Sequence, residues 1–206
     1  MKNGRFIESC CTTLADALAA QRAGADRIEL CADLSCGGVT PPLEMIHEAV
    51  SALSIPVNVL VRPRAGDFVY SPSEVEEMLD TIAGCKRVGV NGVVIGALDR
   101  DGNVDISTMQ CLVAASRPLS ITFHRAFDRC SHWHRALEDV ISLGCDRLLT
   151  SGLASDAMEG RFVIASLVGQ ASGRIVIMAG CGVRPDNIDL IARDSSADEF
   201  HGSRLP

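Results

Sequence analysis

The amino-acid sequence predicts an α/β protein of the TIM-type (β/α)8 barrel class that lacks the final helix. Strand-like apolar segments alternate with amphipathic helix patterns at intervals of about 25 residues, which implies a parallel sheet. Eight such strands follow one another, a number that favours a closed barrel. No Gly-x-Gly-x-x-Gly fingerprint follows the first strand, so a dinucleotide-binding open sheet is disfavoured. The 206 residues are expected to form a single domain, residues 1–206.

Turn and capping residues separate the elements of the first half. Gly24 is expected to end the first helix, and Thr40-Pro41-Pro42 to begin the second. Ser73, with Glu76 three residues later, has the spacing of a capping box and predicts the start of the third helix. The predicted strands are 5–10, 27–31, 57–62 and 92–95, and the first two helices are 13–23 and 40–53.

The second half keeps the same rhythm. Asp105 is expected to begin a helix, and Pro185 a short one. The sequence stops five residues after His201, whereas a complete barrel usually needs about 250 residues. We therefore expect a truncated barrel with apolar surface exposed beside strands one and eight. The remaining predicted strands are 119–124, 147–150, 175–179 and 197–201, and the remaining helices are 132–143 and 156–168.

Composition argues against a nucleic-acid-binding, a membrane-spanning and a disulfide-rich protein. The net charge is −7 and Lys and Arg do not cluster, which argues against a nucleic-acid partner. No apolar run is long enough to span a membrane, and the first eight residues lack a signal region, so we expect a cytoplasmic protein. The nine cysteines form no C-x-x-C pair, and we expect no disulfide framework.

Polar residues gather where the predicted strands end. Residues i and i+2 of a strand share a face, so Glu8 pairs with Cys10, Glu29 with Cys31, and Glu199 with His201. Helices cover the outside of such a barrel, so charged strand residues should point inward or lie at the carboxyl ends. Chemistry in these barrels is located at the carboxyl ends. The alternative is a buried salt-bridge layer that sets the register of the strands.

Three loops carry further candidate residues. The stiff turn Arg62-Pro63-Arg64-Ala65-Gly66-Asp67 can hold an anion, although an Arg–Asp pair that only braces the loop is the simpler interpretation. His124, in Phe123-His124-Arg125-Ala126-Phe127-Asp128, is a candidate acid, base or metal ligand. The small-residue loops around Ser151-Gly152 and Gly182 can bind phosphate with backbone N–H groups.

These segments resemble the CutC family, traditionally called copper homeostasis proteins. The resemblance covers essentially the whole chain and implies a barrel fold, a cytoplasmic location and a role in copper handling. The matching segments are Ala25-Asp26-Arg27-Ile28-Glu29-Leu30-Cys31, Gly37-Gly38-Val39-Thr40-Pro41, Arg62-Pro63-Arg64-Ala65-Gly66-Asp67-Phe68, Phe123-His124-Arg125-Ala126-Phe127-Asp128, Leu149-Thr150-Ser151-Gly152 and Glu199-Phe200-His201.

Two functional hypotheses remain open at this point. In the first, Cys10 and Cys31 bind Cu(I), a soft ion that prefers thiolate ligands, because they end neighbouring strands at equivalent positions. In the second, the barrel is an enzyme that acts on a small anionic metabolite. The catalytic residues of this enzyme would be His124, Glu29 and Glu8, and its substrate-binding residues Arg62, Arg64, Asp67, Ser151, Gly152, Gly182 and His201. A homo-oligomer is compatible with both hypotheses.

Overall fold

A computed structural model, which describes residues 4–203 and 205, contains the predicted closed barrel of eight parallel strands. Neighbours in sequence are neighbours in the sheet, and β1 also pairs with β8, with Glu8 opposite His201. The prediction of a TIM-type barrel is therefore confirmed. The strands are β1 (Phe6–Cys11), β2 (Arg27–Leu30), β3 (Val57–Leu60), β4 (Gly92–Ile95), β5 (Ser120–Phe123), β6 (Arg147–Thr150), β7 (Val176–Gly180) and β8 (Glu199–Gly202).

Seven α-helices of the described residues surround the barrel. They are α1 (Leu14–Ala23), α2 (Leu43–Ala52), α3 (Pro72–Val88), α4 (Ile106–Ser116), α5 (Trp133–Ser142), α6 (Arg161–Ala171) and α7 (Ile188–Ser195). Two short 3-10 helices, Leu34–Cys36 and Arg125–Arg129, follow β2 and β5 and were not predicted. Both lie in loops at the carboxyl ends of strands, where they shape the mouth of the barrel.

Four predicted helix starts differ from the structure. Helices α2 and α7 begin at Leu43 and Ile188, each three residues later than predicted, and α3 and α6 also begin elsewhere. Helix α3 is capped by Ser71, whose hydroxyl accepts from the N–H of Glu74 in a complete capping box, rather than by Ser73 and Glu76. Pro72 explains the earlier start, because proline is favoured at the first helical position. Helix α6 begins at Arg161 instead of residue 156, since the Asp156 side chain holds a turn by accepting from the N–H of Glu159.

The alternation of side chains along each strand divides the protein into an outer core and a barrel interior. Apolar residues such as Ile28 and Leu30 on β2 pack outward against the helices. The interior holds a polar layer and, toward the carboxyl ends of the strands, a small cluster of buried apolar side chains. This interior cluster consists of Cys10, Cys31, Leu60 and Val94.

The prediction of exposed apolar surface beside β1 and β8 is wrong. Ile7 on β1 and Phe200 on β8 are 8% and 0% exposed, and they belong to the same apolar core as residues of α1 and α7. Leu205 covers this region as well, because its carbonyl accepts from the Ser9 hydroxyl and its side chain is buried. Helices on either side of the β1–β8 seam therefore close the outer layer. In the described part of the chain, none of the helices has the length and apolarity that a membrane crossing requires.

Candidate functional site

A cavity of about 590 Å³ opens at the carboxyl ends of the strands. This mouth cavity brings together predicted residues from β1, β2, β3, β5, β7 and β8 or from the loops that follow them. The predicted site residues that line it are Cys10, Glu29, Cys31, Arg62, His124, Gly182 and His201. The interpretation that the strand ends form one polar site therefore agrees with the geometry.

Four predicted substrate-binding residues do not line the mouth cavity. Arg64 forms ion pairs with Glu74 and, at 2.9 Å, with the exposed Asp67, which is the loop-bracing arrangement. Ser151 is fully buried and donates its hydroxyl hydrogen to the carbonyl of Ala154 at 2.8 Å. Gly152 donates its N–H to the Thr150 hydroxyl at 2.9 Å, so this amide is already satisfied.

The floor of the mouth cavity contains two thiols in contact. The Sγ atoms of Cys10 and Cys31 lie 3.3 Å apart, and Cys10 Sγ lies 3.7 Å from Glu29 Oε1. The hydrogen bond with Cys31, together with burial, raises the pKa of Cys10 well above its ordinary value. Gly38, at φ +88, packs closely over Cys31. A Cβ at this position would lie 3.7 Å from Cys31 Sγ and 2.9 Å from the Leu60 side chain.

Beneath this floor lies a buried ion-pair layer that crosses the barrel. Arg27 pairs with Glu8 and, at 2.8 Å, with Glu199, which also pairs with Arg147 at 3.0 Å. Glu8 is completely buried and does not line the mouth cavity. Glu8 instead forms ion pairs with Arg27 and His201. The buried salt-bridge layer that was the alternative in the sequence analysis is therefore present.

His201 connects the ion-pair layer with the thiols. Its Nδ1 lies 2.8 Å from Glu8 Oε1 and 3.9 Å from Glu29 Oε2. Burial opposes the charge of His201, but Glu29 and Glu8 outweigh it and raise its pKa to about 9. Burial also opposes ionisation of Glu8, yet the His201 bond and the Arg27 charge lower that pKa to about 2. Cys10, Glu29 and His201 place ligand atoms within 4.8 Å of one another, which is suitable spacing for a metal ion.

The pKa values of the two candidate acid–base residues, Glu29 and His124, are shifted in opposite directions. Burial raises the pKa of Glu29 to about 7, near the range in which a carboxyl group exchanges protons efficiently. Burial and the neighbouring Arg62 charge lower the pKa of His124 to about 3. The Ala126 N–H donates to His124 Nδ1 at 3.2 Å, so the proton of this neutral imidazole is on Nε2. At neutral pH His124 is therefore a hydrogen-bond donor through Nε2 and a poor base.

Two residues that organise the site received no role from the sequence. Asp128 accepts from the Thr150 hydroxyl at 2.5 Å, from the Ser151 N–H at 3.1 Å and from Arg125 Nε at 2.9 Å, and so ties the loop after β5 to the end of β6. Phe68 packs against both Arg62 and His124. Both residues stand in motifs quoted above, but their contacts depend on packing between distant segments and have no signal in the sequence.

Comparisons with known proteins agree with this fold. The sequence matches the profile of the CutC family over residues 5–205. Relatives named as family protein CutC include one from Parabacteroides distasonis, 49% identical over 97% of this chain and 82% of its own length, and one from Histophilus somni, 47% identical over 95% and 80%.

A solved structure from Streptococcus agalactiae, described as a candidate copper homeostasis protein CutC, is 32% identical, with a TM-score of 0.94 over 98% of this chain and 100% of that one. QR15, an aldolase, has 15% identity and a TM-score of 0.75 over 98% of this chain and 92% of its own, and it shares the barrel fold alone. With a profile match over nearly its whole length and relatives close to half identical, the chain belongs to the CutC family.

Proposed function

We propose that this protein handles copper in the cell by binding Cu(I) at the floor of the mouth cavity, with Cys10 and Cys31 as the principal ligands. The observation that carries the proposal is the contact of two buried thiols, 3.3 Å apart, in a cavity that opens to the surface. Cu(I) prefers thiolate and imidazole ligands over carboxylates. The description of the Streptococcus agalactiae relative as a copper homeostasis protein supports the same assignment.

The spacing of the two sulfurs bears on the coordination of the ion. With metal–sulfur bonds of about 2.3 Å, a linear two-coordinate site needs sulfurs about 4.6 Å apart, which is about 1.3 Å more than the observed 3.3 Å. A bent site with a third ligand requires less movement. His201 supplies that ligand through Nε2, since its Nδ1 is engaged by Glu8. Because its pKa of about 9 keeps the imidazole protonated at neutral pH, Cu(I) must displace the Nε2 proton when it binds.

A cytoplasmic location belongs to the same proposal. All nine cysteines are free thiols, and free thiols persist in the reducing environment of the cytoplasm. Cu(I) is the oxidation state that such an environment maintains. The protein's partner in this proposal is therefore the copper ion, delivered to the open mouth of the barrel.

The alternative of an acid–base enzyme with His124 as the base is less well supported. A histidine whose pKa is about 3 cannot accept a proton efficiently at neutral pH. Glu29, with a pKa of about 7, is the better candidate for proton transfer in this cavity. Glu8 would act on a substrate only through His201, since it does not reach the cavity itself.

Titration with Cu(I) against a competing chelator tests the copper proposal. The reduced wild-type protein is expected to bind one ion per chain, and the double variant Cys10→Ser, Cys31→Ser is expected to lose tight binding, because a hydroxyl is a poor ligand for a soft ion. Cys111→Ser is the matched control, since Cys111 is exposed on α4 and remote from the cavity. Equal affinity in the wild type and the double variant would refute the assignment of the ligands.

A further inference from the structure

Unpartnered polar atoms concentrate in the mouth cavity. Among the described residues, five buried side-chain polar atoms have no hydrogen-bond partner. Three of these five belong to residues that line this one cavity: Glu29 Oε2, Arg62 Nε and His124 Nε2. Each of the three residues is at most 5% exposed. Buried polar atoms are ordinarily hydrogen-bonded because their desolvation is costly, so such a group in a cavity indicates a ligand that completes them.

Two of these atoms, Arg62 Nε and His124 Nε2, are hydrogen-bond donors. The Nη1 of Arg62 donates to the carbonyls of Cys36 and Gly38, and its Nη2 donates to the carbonyl of Gly66. These bonds fix the guanidinium, and its Nε has no hydrogen-bond partner. His124 carries its proton on Nε2, as shown above. The Phe68 ring lies 4.8 Å from the Arg62 guanidinium and 4.9 Å from the His124 imidazole. One aromatic ring therefore contacts both donor residues.

The charge of the cavity lining is positive although the protein is acidic. Four arginines line the cavity, Arg62, Arg125, Arg129 and Arg184, against the two carboxyl residues Glu29 and Asp128. The whole chain has a net charge of −7. A concentration of guanidinium groups in a concave site attracts anions.

We propose that the mouth cavity binds a small organic oxyanion, a carboxylate or a phosphate ester, whose oxygen atoms accept hydrogen bonds from Arg62 Nε and His124 Nε2. Glu29 provides a polar contact for a hydroxyl or carbonyl group elsewhere on the same molecule. The volume of about 590 Å³ lies in the range of small-molecule sites. This binding site goes beyond the copper proposal and does not rest on it, because neither donor is a copper ligand.

The test uses metal-free protein in the presence of a strong chelator. Glycerol 3-phosphate, inorganic phosphate and pyruvate serve as probes, and glycerol is the uncharged control. Binding is measured by isothermal calorimetry and by the shift in melting temperature. At least one anion is expected to bind, and glycerol is not. A preference for the phosphate probes or for pyruvate identifies which oxyanion the cavity accepts.

Three variants locate the site. Arg62→Met and His124→Phe are each expected to weaken binding on the order of ten- to a hundredfold, the loss of one hydrogen bond in which a charge takes part. His124→Phe keeps all loop contacts of Arg62, so it remains informative if Arg62→Met fails to fold. Arg64→Met is the matched control and should bind as the wild type does, because Arg64 pairs with Glu74 outside the cavity. No response to any anion at millimolar concentration, or equal binding by His124→Phe and the wild type, would overturn the proposal.

Discussion

Replacement of Arg27 by methionine removes the cation at the centre of the barrel interior. Arg27 is 3% exposed and neutralises two carboxylates, of which Glu8 is 0% exposed. The variant leaves His201 as the only cation paired with Glu8, whose other hydrogen-bond donor is Asn58 at 3.5 Å, and it leaves Arg147 as the only cation paired with Glu199. Removal of one partner from a buried ion pair costs about 3–5 kcal/mol, because the remaining charge stays desolvated. We therefore expect the free energy of unfolding to fall by this amount.

Urea unfolding followed by circular dichroism measures the change. A loss of about 3–5 kcal/mol corresponds to a decrease in melting temperature of roughly 6–20 °C for a chain of this size. Arg174→Met is the matched control, since Arg174 also pairs with a glutamate, Glu138, but both side chains are nearly half exposed. Surface pairs contribute about 0–1 kcal/mol, so this variant should unfold nearly as the wild type does.

A second substitution separates the loss of charge from the loss of packing. If the loss of the Arg27 charge beside Glu8 causes the destabilisation, adding Glu8→Gln to Arg27→Met should recover part of the lost stability. Similar losses in Arg27→Met and Arg174→Met, or no recovery in the double variant, would refute the interpretation of this layer as a coupled ion network.

Three further predictions follow from individual contacts. In the unfolded chain His124 binds a proton near pH 6.5, whereas burial in the folded protein lowers its pKa to about 3. Lowering the pH from about 7.5 to about 5 should therefore reduce the free energy of unfolding by about 2 kcal/mol. Urea unfolding of His124→Phe at the two pH values should lack this component. Gly96→Ala places a Cβ 2.5 Å from His124 Nδ1 and should lower the free energy of unfolding by about 1–3 kcal/mol. Gly169→Ala adds a Cβ with no other atom within 4 Å, at an exposed position of α6, and should raise it by about 0.5–1 kcal/mol in the same assay. Ser71→Ala should lower the free energy of unfolding by about 1 kcal/mol and Ser73→Ala by much less, and the reverse order would contradict the observed cap.

The barrel could be predicted from the sequence because its signals are local. Hydrophobic periodicity along each segment identifies strands and helices, and β4 and β6 agree with their predicted bounds. The convergence of Cys10 with Cys31 was predicted from their places near the ends of neighbouring parallel strands, although the register sets Cys10 opposite Glu29 and leaves Cys31 just beyond β2. Helix starts were less predictable because two serines, Ser71 with Glu74 and Ser73 with Glu76, both have capping-box spacing. Pro72 at the first helical position favours Ser71, and the prediction of Ser73 did not use this local signal.

The roles of individual site residues could not be predicted, because they depend on contacts between distant segments. Arg62 and Arg64 flank one proline, yet the first lines the cavity and the second pairs with Glu74 outside it. The protonation of His124 depends on the backbone N–H of Ala126 and on complete burial. Neither property has a pattern in the sequence, since burial and hydrogen-bond geometry arise only after the barrel closes.

Anomalous diffraction from crystals soaked with Cu(I) under reducing conditions tests the copper assignment most directly. One peak is expected at the floor of the mouth cavity, within bonding distance of Cys10 Sγ and Cys31 Sγ and next to His201. The peak should vanish in crystals of the Cys10→Ser, Cys31→Ser variant. A peak only at a surface thiol such as Cys111, or none in wild-type crystals in which the mouth is open to solvent, would contradict the account.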